Sequence, residues 1–305
     1  MKKSLLALAA LTAFAGAASA QSSVTLYGRV ELAAGKNIGS DAKVLQNGSG
    51  SRFGVRGVED LGGGMSADFN LEHRFDADTG NQSATRFWHG RSTVGLKGGF
   101  GRIALGREYT PAFLYAQYPV DPFEWDSSSF GFAQTAGGIG TVRNDNSINY
   151  QIGGGGFNFW GQIAEGDGMQ KRPIGFAVNY SAGPMYLAYG YENPGDADDV
   201  WHYLNANYNF GVIKLLAGFG TGTNTVGGKH RQIQLGATAP VGAGEFRVAF
   251  GQLKNTTLGV TAEQKMVVGY HYFLSKRTKV YVDFANDSKA ATSKSGYRVG
   301  MRHNF

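Results

Sequence analysis

The chain has 305 residues, with 29 lysines and arginines against 23 aspartates and glutamates, and a formal net charge of +6. This mildly basic balance does not indicate a nucleic-acid-binding protein, and the lack of cysteine excludes a disulfide framework. Glycine is frequent (47 residues), proline is scarce (7), and 13% of residues are aromatic, a composition typical of many strands joined by tight turns.

The first twenty residues have the pattern of an export signal. Lys2 and Lys3 precede an apolar run, which ends in the small residues Ala18, Ser19 and Ala20. We therefore expect residues 1–20 to be a signal peptide and residues 21–305 to form the mature, folded protein. No second apolar run of about 18 residues follows, so the sequence predicts no membrane-spanning helix.

After residue 20, the chain repeats a segment with apolar side chains at alternate positions, closed by Gly, Asn, Asp or Pro. In residues 65–75, for example, Phe69 and Leu71 alternate with Asp68 and Glu72, so one face of the strand is apolar and the other is charged. Sixteen such strands are predicted, at 24–33, 52–60, 65–75, 87–98, 102–108, 147–153, 157–165, 173–181, 185–192, 201–209, 212–220, 230–239, 245–254, 263–274, 278–286 and 296–305.

The connections alternate between short turns and long polar loops, a pattern typical of an outer-membrane barrel with two different ends. Because lipid offers no hydrogen-bond partners, a sheet that spans a bilayer must close on itself. The last strand has the same alternation as the first, so we expect the two to pair. Phe305 is then predicted to lie in a lipid-facing aromatic row and to serve as the barrel closure and assembly signal; a frayed tail is the alternative.

The longest stretch without an alternating pattern is 109–146. A loop of this length in a compact fold is usually functional or disordered. Its many aromatic side chains need a surface to pack against, so we expect the loop to fold into the barrel lumen. A flap over the outer mouth is the alternative.

Five stretches of the chain resemble the general porins of Gram-negative outer membranes, in particular those of beta-proteobacteria. They occur in the family's order and read VTLYGRVELA (24–33), SRFGVRGVEDLGGGMSADFNLE (51–72), GRSTVGLKGGFGRIALGREYTPAF (90–113), RNDNSINYQ (143–151) and YRVGMRHNF (297–305). The resemblance implies a homotrimer of all-β, 16-stranded antiparallel transmembrane barrels in contact with outer-membrane lipid. Each barrel would hold a water-filled pore for passive diffusion of ions and small hydrophilic solutes, narrowed by an inward-folded third extracellular loop, without cofactor or catalysis.

The inward positions carry more basic than acidic side chains, whereas the long loop carries acidic ones, and such linings set the selectivity of a pore. The predicted pore constriction has a basic side of Arg52, Arg74, Arg91 and Arg143 and an acidic side of Asp121, Glu124 and Asp126. A field across a constriction about one Debye length wide is only partly screened, and the basic excess favours anions. The alternative for each arginine is a structural ion pair that holds the loop.

Three other functions have less support in the sequence. The sequence has no GxSxG or HExxH motif and its histidines are scattered, which argues against an outer-membrane enzyme. A substrate-specific channel would be favoured by a line of aromatic residues along the pore, and none is obvious; an adhesin would depend on the outer loops, which are modest in length. Asp196, Asp198 and Asp199 have the oxygen ligands that Ca²⁺ prefers, but a solvated acidic loop is the simpler interpretation, and we predict no metal site.

Overall fold

A computed structural model describes residues 22–48, 50–124, 140–165, 172–195, 199–224 and 228–305. These residues form one antiparallel sheet that closes on itself. Its strands are β1 (Ser23–Lys36), β2 (Lys43–Asn47), β3 (Ser51–Gly62), β4 (Met65–Phe75), β5 (Arg91–Gly98), β6 (Gly101–Tyr109), β7 (Arg143–Gly154), β8 (Phe157–Ala164), β9 (Ile174–Ala182), β10 (Met185–Asn193), β11 (Val200–Asn209), β12 (Lys214–Asn224), β13 (Gly228–Val241), β14 (Gly244–Asn255), β15 (Val260–Phe273), β16 (Thr278–Asp287) and β17 (Ser295–Asn304).

The 17 strand segments make 16 barrel strands because β2 and β3 share one position. Both pair with β1, β2 through residues 32–36 and β3 through residues 23–29. Each later strand pairs with the next one along the chain, and β17 returns to β1. The predicted all-β, 16-stranded antiparallel barrel is confirmed.

The barrel closes at the last residue of the chain. Gly28 N donates to Phe305 O at 3.0 Å, and Phe305 N donates to Gly28 O at 3.1 Å. The Phe305 ring lies over Gly28, where a Cβ atom would come within 2.3 Å of Phe305 Cζ. The chain end is therefore part of the sheet rather than a frayed tail, while a role of Phe305 as an assembly signal stays a prediction.

The two faces of the sheet are inverted relative to a water-soluble protein. Val24 and Met301 on the outer face are 68% and 58% exposed, whereas Arg302 and Asp283 on the inner face are 4% and 0% exposed. Charged residues are rarely buried unless they are paired, and a large apolar outer band is what a bilayer requires. Among the described residues, no helix is long and apolar enough to cross a membrane.

The long loop after β6 lies inside the barrel in its described part, residues 110–124 and 140–142. It forms a π-helical turn (Ala112–Gln117) followed by a 3-10 turn (Tyr118–Val120). Ala112 and Ala116 pack against Gly190 on the inner face of β10, where a Cβ atom would come within 2.8 Å of Ala112 Cα. Small residues on both sides therefore let this loop lie directly on the wall.

Strand β7 begins at Arg143, four residues before the predicted start at 147. Its first residues pair with Glu108 and Tyr109 across an irregularity near Gly106, whose φ is +123°. The segment RNDN has a low strand propensity, so only its pairing with β6 makes it a strand. Arg143 consequently lies on the barrel wall rather than in the loop.

Replacing Gly28 by Ala should weaken the closure, because the added methyl group meets the Phe305 ring and Arg52 O, 2.5 Å away. Overpacking of this kind lowers the free energy of unfolding by about 1–3 kcal/mol. The midpoint of guanidinium unfolding, followed by the gel mobility of unheated samples, measures the effect. Gly99→Ala is the control, since nothing lies within 4 Å of a Cβ there; equal midpoints for the two variants would contradict the closure argument.

Candidate functional site

Three of the predicted arginines meet at Tyr109, the last residue of β6. Arg74 Nη2 and Arg143 Nη2 both donate to Tyr109 Oη, at 2.6 and 2.5 Å. The guanidinium carbons of Arg91 and Arg143 lie 4.8 and 4.1 Å from the centre of the Tyr109 ring, within the range of cation–π attraction. Arg52 is the register partner of Arg74. The structure thus brings all four predicted basic residues to one region of the inner wall, which we call the arginine cluster.

Two carboxylates neutralise part of the arginine cluster. Arg74 Nε donates to Glu72 Oε1 at 2.8 Å, and Arg91 Nε lies 2.8 Å from Glu108 Oε1. Within the described part of the chain, Arg143 has no carboxylate within 4.0 Å. The ion-pair alternative therefore applies to Arg74 and Arg91, whereas the charge of Arg143 is held by Tyr109 without an acidic partner.

Glu124 lies at a second charged region, where the loop reaches the inner wall of β14 to β17 and β1. Lys279 Nζ and Arg247 Nη1 are each 3.2 Å from Glu124 Oε1, Arg29 Nη2 is 3.7 Å from Oε2, and Arg302 Nη1 also donates to Oε2. These cations stand on β1, β14, β16 and β17. We call Glu124 and its four cations the loop latch.

The four cations of the loop latch keep the Glu124 carboxyl group ionised. Burial alone would raise the pKa of its carboxyl group, but Arg302, Lys279, Arg247 and Arg29 hold that pKa well below the ordinary value. A carboxyl group with a lowered pKa contributes its full stabilisation above the ordinary pKa of about 4.3 and loses it only as pH falls through the lower value. The latch therefore persists through mildly acidic pH.

The other predicted acidic residues are placed differently. Asp121 is buried within the loop, and its Oδ1 accepts a hydrogen bond from Phe123 N at 2.8 Å. Asp126 lies outside the described residues. Of the predicted acidic side, Glu124 belongs to the loop latch rather than to the arginine cluster. An acidic loop that lies directly across from these arginines therefore stays a prediction.

Sequence reasoning missed the side chains that hold the loop backbone. On β10 and β11, three side chains donate to loop carbonyl oxygens: Tyr186 Oη to Tyr115 O at 2.5 Å, Asn205 Nδ2 to Ala116 O at 2.9 Å, and Asn207 Nδ2 to Pro119 O at 2.8 Å. Buried carbonyl groups need such partners. The alternation of β10 and β11 places these side chains on the inner wall, but nothing in the sequence says which loop residues they meet.

More arginines lie next to the arginine cluster, on the side of the segment between β4 and β5. Arg107 Nη1 donates to Asp145 Oδ1 at 2.7 Å, and Arg86 also donates to Asp145. Burial and the neighbouring arginines, Arg143 first among them, lower the pKa of His89 to about 4. His89 is therefore uncharged at neutral pH and adds nothing to the positive charge here. Protonating it costs stability as pH falls from about 6.5 toward 4.

A metal site has no support in the described ranges, which contain no group of three or more His, Asp or Glu side chains that could hold an ion. Of the calcium ligands considered from the sequence, Asp196 and Asp198 lie outside those ranges.

Comparison with known proteins gives consistent matches along the chain. Residues 7–292 match the family described as Gram-negative porin. Outer membrane porin protein 32 of Delftia acidovorans is 35% identical, and an outer membrane porin protein of Bordetella pertussis is 31% identical, each over 100% of both chains. A solved structure, an anion-selective porin from Comamonas acidovorans, has 31% identity and a TM-score of 0.80, covering 93% of this chain and 100% of that one.

Replacing Glu124 by Gln should open the loop latch, because the amide keeps the shape of the side chain but leaves four cations without their shared carboxylate. Hydrogen bonds to charged groups contribute about 1.5–3 kcal/mol, so a loop that loses them moves more and we expect a noisier channel current. Because the substitution also removes a negative charge from the lumen, we expect a stronger preference for anions. Single-channel recordings in a planar bilayer measure both quantities.

The control for this prediction is Glu165→Gln, which removes the same charge from an exposed ion pair with Arg172. Wild-type recordings at pH 5 should match those at pH 7 in loop-dependent noise, because Glu124 stays ionised. A quiet Glu124→Gln channel with unchanged selectivity would contradict the latch.

Proposed function

Since the chain belongs to the Gram-negative porin family, we propose that its outer-membrane channel passes small hydrophilic solutes by passive diffusion and prefers anions. The channel and its place in the outer membrane follow from the family and the closed barrel. The preference for anions rests on one observation, the excess of positive charge in the arginine cluster.

The arginine cluster keeps an excess of positive charge after its ion pairs are counted. Glu72 and Glu108 offset Arg74 and Arg91, but Tyr109 offers Arg143 only a neutral oxygen and an aromatic face. Guanidinium groups stay charged at every physiological pH. Because screening extends over about 8 Å at physiological salt, a fixed charge on the wall of a narrow pore attracts anions and repels cations throughout the narrow part.

A relative supports the same sign of selectivity. The solved porin from Comamonas acidovorans, 31% identical to this chain, is described as anion-selective. The likeness spans 93% of this chain and 100% of that one, so the two chains share the barrel fold along most of their length.

We propose no catalytic role for this barrel. Among the described residues, His271 and Asp283 form an acid–base pair, whose Nε2 and Oδ1 atoms lie 3.0 Å apart. His271 Nδ1 lies 3.1 Å from Lys279 Nζ and accepts its hydrogen bond. Both ring nitrogens are therefore engaged, and neither is left to activate a nucleophile.

Replacing Arg143 by Gln should shift the reversal potential in a KCl gradient toward cation preference. The change removes a positive charge that no neighbouring carboxylate in the described ranges offsets, and we expect the chloride-to-potassium permeability ratio to fall about twofold. The matched control is the double variant Arg91→Gln with Glu108→Gln, which removes one ion pair without changing net charge. A shift of the same size in both variants, or in neither, would remove Arg143 as the source of the preference.

We further propose that the barrel assembles as a homotrimer through the outer face of β1 and β3 to β5. Aliphatic side chains such as Val24, Leu26 and Val94 are exposed there. The outer face of β8 to β11 exposes aliphatic side chains together with aromatic residues, among them Phe157 and Tyr208, and such aromatic residues are typical of a membrane–water boundary.

Replacing Val94 by Trp should therefore weaken the trimer, because a bulky ring on a flat contact surface separates the subunits. Leu235→Trp is the control, since Leu235 is similarly exposed, 50% against 59%, on β13. Cross-linking and the mobility of unheated samples on gels report the oligomeric state. Trimers that survive Val94→Trp but not Leu235→Trp would move the interface to the other side of the barrel.

A further inference from the structure

A cavity of about 470 Å³ lies in the lumen between the first part of the long loop and the inner wall of β3 to β8. Its loop side carries Leu114 and Tyr115, and its wall carries Trp160 together with Arg56, Lys97 and Arg102. Most of this inner wall is polar, so the apolar and aromatic side chains at one side of the cavity require an explanation.

Trp160 and Tyr115 form a rigid aromatic surface. Their rings stack with centroids 3.7 Å apart and planes inclined by 15°. Trp160 Nε1 donates to Asn179 Oδ1 at 2.9 Å, and Tyr186 Oη donates to the backbone oxygen of Tyr115 at 2.5 Å. Because wall residues hold both the Trp160 side chain and the Tyr115 backbone, a ring that binds here meets a surface that is already ordered, which lowers the entropy cost of binding.

Two basic residues lie at the same height of the barrel as Trp160. Lys97, Arg102, Gln151 and Trp160 are successive register partners across β5, β6, β7 and β8. With strands about 4.8 Å apart, the backbone of Trp160 lies about 10 Å from that of Arg102 and about 14 Å from that of Lys97 along the wall. The long basic side chains can shorten these spans by several ångströms, so a small planar molecule can reach from the aromatic surface to a cation.

Two of the cavity's cations can meet a solute. Arg102 is held by Asp68 through two hydrogen bonds of 2.8 and 2.5 Å. Arg56 and Lys97 are exposed to the lumen and have no carboxylate within 4.0 Å in the described part of the chain. Arg56 lies over the ring of Tyr27, 5.1 Å from its centre, a contact that leaves its charge in place. The cavity therefore combines an aromatic face with uncompensated positive charge.

We infer that this cavity is a binding subsite for small aromatic carboxylates, whose ring stacks on the Trp160 and Tyr115 surface while the carboxylate meets Lys97 or Arg56. The inference rests on the proposed anion-preferring channel and names a class of solute within it. Aliphatic carboxylates share the attraction to the cations but lack the ring, so they bind less well. Aromatic stacking of this kind favours the aromatic acid about threefold or more.

The test compares benzoate with cyclohexanecarboxylate, which has the same charge and nearly the same size but no aromatic ring. Each acid is added to the bath during single-channel recording in KCl, and the concentration that halves the chloride current is measured. In the wild type, benzoate should block at a concentration about threefold lower than cyclohexanecarboxylate. Trp160→Leu should remove this difference. Lys97→Gln should raise the blocking concentration of both acids by the same factor.

Phe159→Leu is the matched control, because Phe159 is the lipid-facing neighbour of Trp160 on the same strand. Tyr115→Leu removes the other ring and tests the same surface if Trp160→Leu does not insert as a barrel. Equal block by the two acids in the wild type would overturn the inference, as would a difference that persists in both leucine variants.

The KCl reversal potential of each channel is recorded in the same experiment. An anion-directed potential with equal block by the two acids overturns the subsite and leaves the proposed function intact. A cation-directed potential overturns the proposed function, and the subsite with it, so the two failures are distinguishable.

Discussion

Backbone donors and acceptors inside a bilayer must find partners within the protein, and this requirement organises the chain from β1 to its last residue. The sheet has no free edge because β17 returns to β1, and the final pair of hydrogen bonds is made by Phe305 itself. Closure separates two environments, lipid outside and water inside. The alternation of apolar and charged side chains follows from that separation.

Within the charged lumen, Tyr109 and Glu124 each bring several cations together. Tyr109 holds Arg74 and Arg143 side by side through one hydroxyl group. Glu124 lies close to cations from four strands and fixes the loop to the inner wall of β14, β16, β17 and β1. Without such partners, like charges this close would repel and spread into the pore, and the lining would not present a defined field.

The described part of the loop covers one side of the inner wall. Its residues cover the inner face of β10 and β11, where Trp201 and Tyr203 are fully buried beneath it. The wall formed by β3 to β8 lines the cavity, with Arg56, Lys97 and Trp160 among its lining residues. Aromatic residues that look equivalent by strand phase therefore differ in their surroundings, since Trp201 and Tyr203 lie beneath the loop whereas Trp160 lines the cavity.

The sequence by itself determined the number of barrel strands, the two faces of each strand and the inward position of Arg52, Arg74 and Arg91, because a period of two residues is a local property of the chain. Only the tertiary structure decided which charges pair, since Glu124 and Arg247, for example, are 123 residues apart along the chain. The start of β7 was missed for the same reason: RNDN becomes a strand only when β6 lies beside it. Contacts across a closed barrel depend on the register of the strands and on the path of the loop. The alternation of apolar and polar residues along the chain specifies neither of them.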